Sequence, residues 1–121
     1  MQDVQTIAQA VVRNGGKLEL ENPIALMLKD PETGEIKEEF WSERAISVII
    51  EAIIDREQLV PMLYALREAA KEVDTIFSVN VITRMENGAI PTGALVRQAG
   101  CIQRPNGKTN VGLGRPRKEF C

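Results

Sequence analysis

The chain has 121 residues, 44% of them apolar and 26% charged, with fifteen Lys/Arg against seventeen Asp/Glu. That length suits one domain with a modest core, and no apolar run approaches the ~20 residues of a membrane span. Histidine is absent, which excludes imidazole acid–base catalysis and the His-containing zinc sites.

The N-terminus, MQDVQTIAQAVV, lacks a basic start followed by an apolar core, so it does not read as a signal peptide, and a cytoplasmic location is expected. Val4, Ile7, Ala8, Val11 and Val12 share one helical face, which predicts a helix over residues 3–12 that stops at Asn14-Gly15-Gly16. Lys17 to Glu21 alternates as an exposed strand does. Residues 24–29 and 35–40 flank the turn Asp30-Pro31-Glu32-Thr33-Gly34, a hairpin signal in which Pro presets one dihedral and Gly accepts positive φ. Trp41 is expected at the edge of the core. The acidic run from Asp30 to Glu43 reads as a solvated face. It lacks the spacing of an EF-hand loop, and nothing in it fixes the separation of two carboxyls.

The central stretch, residues 45–84, organises the reading. Ile46, Val48, Ile49, Ile50, Ile53 and Ile54 are β-branched and predict a strand buried on both faces. The rival is a buried helix capped by Ser42, since Ile46, Ile49, Ile50, Ile53 and Ile54 also form a helical stripe. Asp55 and Gln58 have capping-box spacing. Leu59, Met62, Leu63, Leu66, Ala69, Ala70 and Val73 then form one apolar face, giving a main helix at about residues 56–73. Pro61 requires this helix to bend or to begin after Asp55. Residues 75–84 read as a second strand. The expectation is a single α+β domain over residues 1–113, with a ferredoxin-like βαβ unit at about 45–84, an N-terminal helix and a β-rich C-terminal segment.

Ile50-Glu51-Ala52-Ile53-Ile54, followed by Leu59 and Ala65-Leu66, resembles the opening strand and helix of the PII-type signalling proteins. The resemblance implies a usually trimeric, ferredoxin-like protein that binds nucleotides between subunits and regulates protein partners. It carries no ligand-binding residue over to a position of this chain.

After Arg84, Met85-Glu86-Asn87-Gly88 signals a turn, Ala94 to Gln103 a strand, and Asn106-Gly107 a hairpin returning through Thr109 to Leu113. Gly107-Lys108-Thr109 ends like a phosphate-binding loop, but Ile102 stands where its first glycine belongs.

Charge is unevenly placed. Residues 1–96 carry nine Lys/Arg and sixteen Asp/Glu, whereas residues 97–121 carry six Lys/Arg and one Glu. Such asymmetry can mark a nucleic-acid arm or a tail for an acidic partner. Gly114-Arg115-Pro116-Arg117-Lys118 resembles the Gly-Arg-Pro core of AT-hooks and the minor-groove arms of some recombinases. On this alternative Arg104, Lys108, Arg115, Arg117 and Lys118 contact nucleic acid, with residues 114–121 as a basic, flexible tail; the plainer reading is a solvated basic tail or one docked on the acidic body.

Cys101 and Cys121 are candidate redox thiols, but no histidine exists to activate either. They read as two thiols, a disulfide, or half of an intersubunit metal site. No complete catalytic or cofactor motif is present. The favoured function is therefore a non-enzymatic, homo-oligomeric regulatory or interaction protein, with a small ligand such as a nucleotide at a subunit interface. It is expected to need no resident cofactor or metal and no membrane, and its partner is another protein or that small ligand. The alternative is a small nucleic-acid-binding protein using the basic arm.

Overall fold

Two helices that share one apolar seam organise the N-terminal part of the chain. The computed structural model describes residues 1–102 and 109–113. It divides the chain into two compact units, Met1–Asp74 and Thr75–Cys121. In the first unit, helix α1 (Gln2–Arg13) buries Ile7, Ala8 and Val11. Helix α2 (Leu59–Ala69) buries Leu59, Met62, Leu63, Leu66 and Ala69, and packs on α1. Both apolar faces follow the 3.6-residue period read from the sequence.

Each end of these helices has a physical cause. After α1, Gly15 N–H bonds the Val12 carbonyl and Gly16 N–H the Val11 carbonyl, both at 3.0 Å. This is the glycine-terminated end in which a left-handed residue satisfies the last carbonyls, and Gly15 has φ +85°. At the front of α2, a 3-10 turn over Arg56–Gln58 precedes the helix, and Asp55 makes no side-chain cap. Pro61 consequently falls in the first turn of α2, where its missing N–H costs no helical bond.

Three strand pairs complete the described residues. Strand β1 (Lys17–Leu18) lies antiparallel to β4 (Ala52–Ile53), with Lys17 opposite Ile53 and Leu18 opposite Ala52. Strands β2 (Leu28–Asp30) and β3 (Glu35–Ile36) form the expected hairpin, with a bulge between Leu28 and Asp30. Its Leu28 and Ile36 are buried. Ile36 N–H donates to Gln5 Oε1 of α1 at 2.9 Å, tying hairpin to helix. Trp41 sits at the rim, 41% exposed, its Nε1–H donating to the Ile36 carbonyl at 3.2 Å.

In the second unit, β5 (Ser78–Val81) pairs antiparallel with β6 (Thr109–Leu113). Between them lies α3 (Gly93–Gln98). The architecture is a small mixture of helices and short antiparallel strands, compatible with α+β.

Three expectations need correction. Residues 45–54 form no long buried strand: only Ala52–Ile53 pair, and both are exposed. The strands expected to flank α2 in one parallel sheet instead join separate antiparallel pairs, β4 with β1 and β5 with β6. β-Branched composition favours extended backbone but names no partner. Finally, residues 94–103 begin as a helix rather than a strand. Ala94, Leu95, Arg97 and Gln98 are good helix formers, and Gly100 at φ +78° ends the helix, with Cys101 N–H bonding the Val96 carbonyl.

Candidate functional site

One stretch of the first unit that its own fold leaves largely uncovered is residues 45–53. Ile46 is fully exposed, and Ile49 and Ile53 are 65% and 70% exposed. Val48 and Ile50 are half-buried. Residues 45–50 make no backbone hydrogen bond to another described residue; the contacts start at Glu51, whose carbonyl accepts Glu19 N–H at 2.9 Å. A run of β-branched residues with open N–H and C=O groups can serve as a template for another strand.

The run is held firmly at its C-terminal end. Asn22 is buried, and its Oδ1 accepts Ile24 N–H at 3.1 Å, capping the 3-10 turn Pro23–Leu26. Its Nδ2 donates to Glu51 Oε2 at 2.8 Å. One side chain therefore caps a local turn and clamps a segment twenty-nine positions away. With the β1–β4 pair, this fixes where the apolar run leaves the body. Arg44 and Glu43 stand at its other end, both exposed, so the patch is apolar in the middle and charged at its margins.

The sequence-derived candidates fare differently. Cys101 is buried, its thiol 3.8 Å from the Ala99 carbonyl. Cys121, Arg104, Lys108, Arg115, Arg117 and Lys118 lie outside the described residues. Among the described residues no three His, Cys, Asp or Glu side chains converge to hold a metal ion. Among them, too, no helix is long and apolar enough to cross a membrane. The exposed isoleucines were missed as surface because their residue types are those of an interior strand; the hint was Glu51 within the run, a charge awkward to bury on both faces.

In comparisons with known proteins, no family model, no curated protein and no solved structure matches the chain.

Proposed function

We propose that this chain is a non-enzymatic, oligomeric regulatory or interaction protein, and that residues 45–53 form the surface through which its copies meet. The observation that carries the reading is the exposure of Ile46 and Ile49 in a run that makes no backbone hydrogen bond to another described residue, continued by the exposed Ile53 of β4. Contiguous apolar surface rimmed by charge marks association sites, and strand addition satisfies open backbone groups as it covers apolar side chains. The resemblance of residues 50–66 to PII-type proteins supports the same reading. So does the lack of a complete catalytic motif in the sequence. Residues 45–54 would lengthen into a strand when a second copy covers them. A small ligand between subunits, such as a nucleotide, rests on the resemblance alone.

Native mass spectrometry of the purified protein, with Ile49→Lys alongside, tests the reading. The expected result is a defined oligomer for the natural chain and a folded monomer for the variant, because Ile49 is no part of the core. A nucleotide would appear as added mass. A natural chain that is monomeric at micromolar concentration overturns the proposal. The nucleic-acid alternative is favoured by the charge asymmetry of residues 97–121, and deleting residues 114–121 tests it: DNA binding at low salt should vanish with the tail.

A further inference from the structure

The chain contains three Asn-Gly steps, at residues 14–15, 87–88 and 106–107. Such steps are where an asparagine side chain can be converted to a carboxylate without an enzyme, because glycine has no side chain to hinder its backbone nitrogen. The fold treats two of them oppositely, and the third lies outside the described residues.

Asn14 is protected twice. Its Nδ2 donates to the Ala10 carbonyl at 2.8 Å, so the side-chain amide is pinned. The nitrogen that would have to attack it, Gly15 N, donates to the Val12 carbonyl at 3.0 Å as part of the helix end. A side-chain carbon at Gly15 would meet the side chain of Gln58, which lies beside the step.

At Asn87 each of these restraints is missing. Residues 86–89 are all exposed. Asn87 and Gly88 take successive positive φ values of 50° and 74°, the tip of a two-residue hairpin turn. The turn is held by Glu86 N–H to the Ala89 carbonyl at 3.0 Å and Ala89 N–H to the Glu86 carbonyl at 2.9 Å. These bonds use neither the Asn87 side chain nor Gly88 N–H, and the space beside Gly88 is open to 4 Å. A turn closed by one bridging pair opens readily, which gives the attacking nitrogen the freedom it needs.

We infer that Asn87 is a site of spontaneous deamidation. Solvent base removes the Gly88 amide proton, and the nitrogen attacks Asn87 Cγ. The Cγ–Nδ2 bond breaks and Nδ2 leaves as ammonia, closing a five-membered succinimide. Water then opens the ring at either carbonyl, giving aspartate or isoaspartate. Side-chain amide and water become acid and ammonia, with no oxidant or cofactor. The product places a new negative charge at the turn, and the isoaspartate form adds a methylene to the backbone where the Glu86–Ala89 pair must close.

The test is a time course on the full chain in mildly alkaline buffer, read by peptide mapping with mass spectrometry, with and without urea. In the folded protein, conversion at Asn87 should outrun that at Asn14 by about tenfold or more, since two hydrogen bonds restrain Asn14 and its step. In urea the two should converge. Asn87→Gln should suppress conversion at that position, because the longer side chain closes a less favourable ring. Equal rates at Asn14 and Asn87 in the folded chain, or a ratio that urea leaves unchanged, overturns the inference.

Discussion

Gly34 rests against the backbone of Ala8. A side-chain carbon at Gly34 would meet the carbonyl carbon of Ala8 and the nitrogen of Gln9 at 2.8 Å, and Gly34 itself sits at φ +76°. Ala8 is completely buried beneath it. The hairpin turn therefore touches α1 main chain to main chain. Gly34→Ala should destabilise the first unit by about 2–4 kcal/mol, combining left-handed strain with overpacking. Ala8→Gly should not rescue it, because the obstructing atoms are backbone. Urea melts of the two single variants and the double variant decide the point.

Asn22 and Glu51 should be energetically coupled. Asn22→Ala removes a turn cap and a charge-assisted bond at once, at a cost of about 1–3 kcal/mol. Glu51→Gln keeps an acceptor oxygen and should cost less. A double-mutant cycle should return a coupling of about 0.5–1.5 kcal/mol, and independent additivity would show that the 2.8 Å contact contributes nothing.

Pro61 and Leu63 are two residues apart and should respond very differently. Pro61→Ala should change stability by less than about 1 kcal/mol, because the proline sits in the first turn of α2. Leu63→Ala empties a buried site in the α2 face and should cost about 2–5 kcal/mol. Thermal melts of the two variants check both.

Cys101 should behave as a core residue rather than a reactive thiol. It is 5% exposed. Site-resolved alkylation at Cys101 should be on the order of a hundredfold slower in the native protein than in urea. Cys101→Ser should destabilise by about 1–3 kcal/mol through burial of a hydroxyl.

How much of this was legible beforehand follows from the range of each interaction. Ile7, Ala8 and Val11 announce α1 by spacing alone, and the face from Leu59 to Ala69 announces α2. Asp30 to Gly34 carries the chemistry of its own turn. These signals are local. The register of β4 on β1 depends on residues more than thirty positions apart, and nothing in AISVIIEAII says that so little of the chain will cover it. In the short helix over residues 93–98 only Gly100 arbitrates, and a glycine after an apolar run serves a strand end as well as a helix end. The clamp of Asn22 on Glu51 left no sequence signal, since Asn before Pro reads simply as a turn.

The pairing of α1 with α2 also sets an order in time. The apolar face of α1 leaves the ribosome before α2, its largest cover, which begins at Leu59. At about 5–20 residues per second, the intervening chain takes some seconds to make. Through that interval α1 lacks its helical partner, and β1, then the hairpin that seats Gly34 on Ala8, are the native elements able to reach it. The early contact between two of the smallest residues in the chain would then shelter the nascent helix until its larger partner arrives.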